Sequence, residues 1–228
     1  MKRFEVRGWI EETGIVAALR VNSAEDALFA AQSVAVGGVV VIEIPLTVPQ
    51  AFMVIGQLAK SVPGIVIGAG GVTNPATAQI CLDAGAQFLT CDGLHPAVVE
   101  FAPTKDVVAL PGALTPTEVI TAWEAKSDFV KVLPCAHIGG ETYIGSPHRM
   151  FPQIPLIASG GVNQQDAFNF ILAGAIAIGV GRELIPFEAI RRHQEDRIGE
   201  LARRFRGFVK AGRDHLAARA RRSAGPDN

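Results

Sequence analysis

A lysine, Lys131, stands between valines in the run FVKVLP (residues 129–134), and a glutamate, Glu43, stands between isoleucines in VVVIEIPL (residues 39–46). Neither charge is cheap to bury alone, since an unpaired ion inside a protein costs several kcal/mol. Side chains alternate along a strand, so Val39, Val41 and Glu43 share one face, and Phe129, Lys131 and Leu133 share one face of another strand. Turned inward, the two charges meet. One reading is an ion pair that only fills a core. The other is an amine that apolar neighbours keep partly neutral and nucleophilic, beside a carboxylate able to move protons.

Three glycine-rich stretches point to a ligand for that amine. GAGG (68–71), ASGGVN (158–163) and GVGRE (179–183) each follow a short apolar run, and Arg20 ends another, GIVAALR (14–20). Glycine loops at helix N-termini bind phosphate through backbone N–H groups, and the last two loops of a barrel are the usual place. A single glycine pair is equally an ordinary tight turn, so it is the two stretches together that carry this signal.

The elements that must hold these residues recur with a period. Apolar runs return about every 23 residues, the spacing expected of strands alternating with helices. They are GIVAALR, VVVIEIPL, GIVIGAGGV, AQFLTCDG, VVALPGAL, FVKVLP, PLIASGGV and AIAIGVG. Most are continuous and not alternating, as parallel strands covered on both faces should be. Helix signals lie between them. Ser23, Asn74 and Asn163 are N-caps, Thr115 with Glu118 forms a capping box behind Pro116, Pro49 opens a helix, and Gly85 and Gly174 close two others.

Eight such units predict a single (β/α)8 TIM barrel, with an open doubly wound sheet as the competing arrangement. The expected boundaries are an N-terminal helix over 1–13, a barrel core over 14–186, C-terminal helices over 187–222 and a frayed tail over 223–228.

Bulk composition excludes other classes. The chain has 228 residues, 49% hydrophobic and 19% charged, with a net charge of −1, which argues against a nucleic-acid partner. No apolar run is long enough to span a bilayer and the first residues lack a signal-peptide pattern, so no membrane partner and a cytoplasmic location are expected. From Arg191 onward 11 Lys and Arg face 5 Asp and Glu, spread in a helical pattern that reads as a solvated face. Cys81, Cys91 and Cys135 lack the paired spacing of a zinc site, so free thiols and no metal are expected. His95 and His137 follow the fourth and sixth strands, where they either line the mouth or are ordinary polar loop residues, the commoner case, and Cys135 reads as packing.

In this order the segments GIVAALR, GGVVVIEIPLTVP, IGAGGVTNP, AGAQFLTCDGL, LPGALTPTEV, FVKVLPCAHIGG, IASGGVNQQ and AIGVGRELIP, from Gly14 to Ala189, carry a resemblance. The chain resembles the class I pyruvate-dependent aldolases acting on 2-keto-3-deoxy-6-phosphogluconate (KDPG) and 2-keto-4-hydroxyglutarate (KHG). The resemblance implies that Lys131 forms a Schiff base with the keto group and that Glu43 is the general acid/base. It implies a carboxylate-binding arginine, and with Thr47 in the second-strand region Arg20 takes that role. Ser159, Gly160, Gly161, Gly179, Gly181 and Arg182 would hold phosphate, and Thr47, Gly70, Gly71 and Pro111 would complete the substrate-binding set. No cofactor, a small 2-keto acid substrate and a homotrimer are implied as well.

Three positions depart from the family pattern. Gly71 replaces a threonine, Cys91 and Asp92 stand where a Ser-Pro pair is common, and Arg182 stands where a serine often follows. Arg182 could clamp an anion or pair with Glu183. Two other functions compete with the lyase. An isomerase or epimerase on a similar barrel would leave Lys131 without a role, and a non-catalytic sugar-acid-binding relative would keep the pocket without turnover.

Overall fold

The structure, a computed structural model, describes residues 1–223. In chain order the strands are β1 (Ile15–Ala18), β2 (Val41–Pro45), β3 (Val66–Gly70), β4 (Phe88–Thr90), β5 (Val108–Leu110), β6 (Gly112–Ala113), β7 (Val130–Val132), β8 (Leu156–Ser159) and β9 (Ala177–Val180). The helices are α1 (Arg3–Thr13), α2 (Ala24–Val36), α3 (Ala51–Ser61), α4 (Pro75–Ala84), α5 (Pro96–Thr104), α6 (Pro116–Glu124), α7 (Gly140–Met150), α8 (Gln164–Leu172), α9 (Phe187–Arg191) and α10 (Glu195–Ser223). Of the expected tail, Ser223 is the last residue of α10 and the rest lies outside the described residues.

All pairings are parallel, in the order β5-β4-β3-β2-β1-β9-β8-β7-β6. The ends of that order, β5 and β6, are one strand interrupted at Pro111, which has no N–H to donate. Its carbonyl still accepts from the Lys131 N–H at 2.9 Å, and the Asp128 N–H donates to Ala109 O at 3.2 Å. The sheet therefore closes. The eight-strand barrel expected from the sequence is present, with its fifth strand in two pieces.

The strand alternation sorts the core into two layers. Val16, Val41, Val66, Phe88, Val108, Leu110, Phe129, Ile157 and Ala177 fill the barrel, and Val6 and Ile10 of α1 plug its amino-terminal end. Ile15, Ala17, Ile42, Ile44 and Ile67 face outward into the helical layer. Arg3 Nε donates to Asp128 Oδ1 at 2.8 Å while the Ala109 N–H donates to Asp128 Oδ2 at 2.9 Å, tying the plug to the floor.

The caps follow the side-chain chemistry read from the sequence. Ser23, Asn74 and Asn163 accept from the N–H groups of Asp26, Thr77 and Asp166 at 3.0, 2.8 and 3.0 Å, and Thr115 and Glu118 form the capping box. Pro49 differs. The turn after β2 is closed by the Val48 N–H on Pro45 O at 2.9 Å, Pro49 follows that turn, and α3 starts only at Ala51 behind Gln50 at φ 57°. The C-terminal helix turns its charged face to solvent, as its pattern predicts, and buries the other. Ile198, Ala202, Phe205 and Val209 are buried, and Arg213 donates to the carbonyls of Glu11, Glu12 and Ile176, closing the end of α1. Burial pushes that guanidinium below its ordinary value.

Gly68 is small because Phe88 needs its space: a Cβ there would lie 2.3 Å from the Phe88 ring. Overpacking of this kind costs about 1–3 kcal/mol, so Gly68→Ala should lower the urea unfolding midpoint without changing the slope of the transition.

Candidate active site

Lys131 lies in β7 and Glu43 in β2, both pointing into the carboxyl-terminal mouth of the barrel, and they are only 5% and 4% exposed. Glu43 Oε2 lies 3.8 Å from Lys131 Nζ. The ammonium is not in an apolar cage, as the flanking valines suggest. Its Nζ donates to Thr90 Oγ1 at 3.3 Å and to Asp92 Oδ1 at 3.2 Å, so three acceptors surround it. Arg20 Nη2 stands 3.8 Å from the same Asp92 oxygen. The polar setting follows from closure, because only the β5/β6 strand separates β4 from β7, which brings the inward side of Thr90 to the amine.

The cavity above Lys131 has a volume of about 570 Å³. Arg20, Glu43, Thr90, Lys131, Ser159, Gly160, Gly161, Gly179, Gly181 and Arg182 line it, so most of the residues singled out in the sequence meet there. Thr47, Gly70, Gly71 and Pro111 are not in its wall. Thr47 is exposed in the turn before α3. Gly71, at φ +74°, makes the left-handed turn after β3. Pro111 contributes its carbonyl to the backbone of Lys131.

Gly70 acts through space: a Cβ would meet Glu43 Oε1 at 2.3 Å, so the missing side chain is what lets the carboxylate stand where it does. Gly179 does the same for Ser159, whose Oγ would lie 2.6 Å from a Cβ.

The glycine loop after β8 packs on the segment after β7. Gly160 and Gly161, at φ +82° and +83°, would set a Cβ against Pro134 Cα at 2.7 Å and His137 Nε2 at 2.9 Å. The Cys135 and Ala136 N–H groups donate to Ser159 and Gly160 carbonyls at 2.8 and 3.2 Å. The loop itself, Gly160 to Val162, lines the cavity together with Arg182 and His137. Arg182 makes no ion pair with Glu183 or any other described residue, and it stands in the cavity wall.

Thr90 and Asp92 were not read as site residues from the sequence, whereas His137, read as a residue of the mouth or an ordinary loop histidine, lines the cavity. For Thr90 a signal existed, since it shares its strand face with Phe88. Asp92 showed only as a departure from pattern, and His137 lies in a loop without periodicity. His95 stays outside the cavity and precedes α5. Burial pushes the thiols of Cys91 and Cys135 up to about 12 and that of Cys81 to about 11. Lys131 partly opposes the shift at Cys91.

The family model for KDPG and KHG aldolases matches residues 6–201. The chain belongs to that family. This aldolase, a carbon–carbon lyase, is 31% identical over 175 residues to a probable 2-dehydro-3-deoxy-6-phosphogalactonate aldolase of Rhizobium meliloti, covering 76% of this chain and 82% of the relative. It is 30% identical over 190 residues to the KHG/KDPG aldolase of Escherichia coli K12, covering 83% and 89%. Among solved structures, the aldolase is similar to a native KDPGal structure, with 27% identity, a TM-score of 0.80 and coverage of 88% and 96%. It is also similar to a Legionella pneumophila KDPG aldolase with pyruvate captured as a covalent carbinolamine, with 25% identity, a TM-score of 0.79 and coverage of 86% and 96%.

Two measurements follow from this geometry. Gly70→Ala should displace the Glu43 carboxylate and lower kcat by roughly 10²-fold, the scale of a 1 Å misplacement, while circular dichroism stays unchanged. A thiol held near 12 is ionised to roughly one part in 10⁴ at pH 8, so Cys91 and Cys135 should resist iodoacetamide in the native enzyme and react once it is denatured.

Proposed function

We propose that this aldolase cleaves a 2-keto-3-deoxy sugar acid to pyruvate and an aldehyde through a Schiff base on Lys131, with Glu43 as the proton-transfer group of carbon–carbon cleavage. The observation that carries the reading is the primary amine of Lys131 in the cavity wall, with the Glu43 carboxylate 3.8 Å away. The pyruvate carbinolamine captured in the similar Legionella pneumophila enzyme supports the same covalent chemistry here.

The neutral amine attacks C2 of the keto acid, and loss of water leaves an iminium. Glu43, directly or through a water, takes the proton of the C4 hydroxyl; the C3–C4 electron pair moves into the iminium, giving an enamine and the free aldehyde. Glu43 then returns a proton to C3, and hydrolysis frees pyruvate. The iminium is the electron sink, so the cleavage as written draws on no metal or cofactor.

The cavity has cationic or N–H-rich ground at two places, which fits a substrate with two anions. Arg20 would hold the carboxylate. Ser159, Gly160 and Gly161, with Gly179, Gly181 and Arg182, would hold a phosphate on the aldehyde half. KDPG and its relatives have this form, and KHG carries a second carboxylate in place of the phosphate. Gly71 leaves room beside the third strand and Thr47 lies outside the wall, so Arg20 is the carboxylate ligand we favour. We read the chain as one barrel domain. Its three free, buried cysteines fit a reducing cytoplasm, and the homotrimer rests on the family resemblance.

The decisive experiment is incubation with pyruvate and borohydride, then digestion and mass measurement. A reduced pyruvyl adduct is expected on the peptide containing Lys131. Its absence from folded enzyme would sink the reading. Lys131→Ala should trap nothing, whereas Glu43→Gln should still trap while turning over about 10²- to 10⁴-fold more slowly.

A further inference from the structure

Lys131 has a nearer carboxylate than Glu43. Asp92 Oδ1 stands 3.2 Å from Nζ, against 3.8 Å for Glu43 Oε2. The position of Asp92 is built into the fold. Cys91 before it is buried, with its N–H on Leu110 O at 3.1 Å, and the Gly112 N–H donates to Gly93 O just after it at 3.2 Å. Gly112 has to lack a side chain, because a Cβ would lie 2.5 Å from the carbonyl carbon and oxygen of Asp92.

The Asp92 backbone is therefore anchored, while its side chain is 55% exposed and reaches Lys131 from the solvent side. Glu43 is the opposite, buried and hemmed in by Gly70. The site thus holds a buried carboxylate and a solvent-exposed one beside a single amine.

Imine chemistry has duties for both. Before attack, the Lys131 ammonium must lose a proton. After attack, the carbinolamine hydroxyl must gain one to leave as water. Both events occur at Nζ and C2, beside the solvent into which that water escapes, whereas cleavage needs a base at the C4 hydroxyl.

We propose that Asp92 is the catalytic acid/base of imine formation, leaving Glu43 to carbon–carbon cleavage. Asp92 takes a proton from the ammonium. The nitrogen lone pair then forms the C–N bond to C2 as the carbonyl pair moves to oxygen, and a second proton passes from nitrogen to that oxygen. Asp92 returns its proton to the hydroxyl, which departs as water while the nitrogen pair forms the C=N bond. An ammonium and a carboxylate enter, an iminium and a carboxylate leave, and charge is conserved. Arg20, 3.8 Å from the same Asp92 oxygen, links this step to binding: a substrate carboxylate that occupies Arg20 frees Asp92 to turn toward the reacting atoms. The charged groups facing Asp92 are Lys131 and Arg20, with Glu43 beyond the lysine.

The inference rests on the aldolase reading, and the two can fail separately. The rate of imine formation is measured by quenched-flow borohydride trapping with pyruvate, and enamine protonation by deuterium exchange of the pyruvate methyl group per trapped imine. Asp92→Asn and Asp92→Ser should each form the imine roughly 10²-fold more slowly while exchange per imine stays within about twofold of wild type. Glu43→Gln should show the reverse split. Added formate should restore imine formation in Asp92→Ser, which a merely structural residue would not permit. Imine formation at the wild-type rate in either Asp92 variant, exchange lost in proportion to trapping, or no rescue by formate would overturn the role of Asp92 alone. A wild-type enzyme that traps no pyruvate would overturn the aldolase reading and this inference with it.

Discussion

An ammonium held at 5% exposure must be met by acceptors, and the mouth of the barrel is arranged around that need. Left alone, the charge of Lys131 would cost several kcal/mol. Thr90, Asp92 and Glu43 meet it, from β4, the loop after β4, and β2. These partners are far apart along the chain and converge only because the sheet closes. Closure in turn runs through Pro111, where one strand divides its hydrogen bonds between β4 on one side and β7 on the other. A buried pair could be inert filling. Here the amine opens onto a cavity with an arginine and two glycine loops in its wall, the setting on which the proposed Schiff-base role rests.

Absent side chains are the second requirement. Gly70 clears Glu43, Gly112 admits the backbone of Asp92, and Gly160 with Gly161 lets the β8 loop settle on Pro134 and His137. Each glycine loses more conformational freedom on folding than another residue would. The opposite end of the barrel carries compensating structure. The α1 plug, its Arg3 contact to buried Asp128 and the Arg213 clasp on the end of α1 all lie away from the cavity. Stability and chemistry are thereby divided between the two ends.

Much of the fold was readable because its signals are local. A continuous apolar run, an Asn-Pro pair or a Thr-x-x-Glu box acts within a few residues, and the structure bears these out at Asn74, Thr115 and Asn163. Pro49 stands before α3 and not in its first turn, because a left-handed Gln50 intervenes, a conformation the helix grammar does not include. The clasp made by Arg213 joins residues 201 and 202 positions apart with one at 37, beyond the reach of any local pattern.

The candidate site divides in the same way. Lys131 and Glu43 could be found from the sequence, because a charge inside an apolar strand is anomalous by itself and the two-residue alternation says where it points. The glycine loops could be found from their repetition after strands. Asp92 could be seen only as a departure, since it lies 39 residues from Lys131 and half-exposed in a loop, where an aspartate is ordinary. Sequence alone determined which strand carries the amine and which the carboxylate, because those depend on periodicity within each strand. Tertiary structure decided the company they keep, since the 3.2 Å approach of Asp92 and the room left by Gly70 and Gly112 exist only once the barrel has closed.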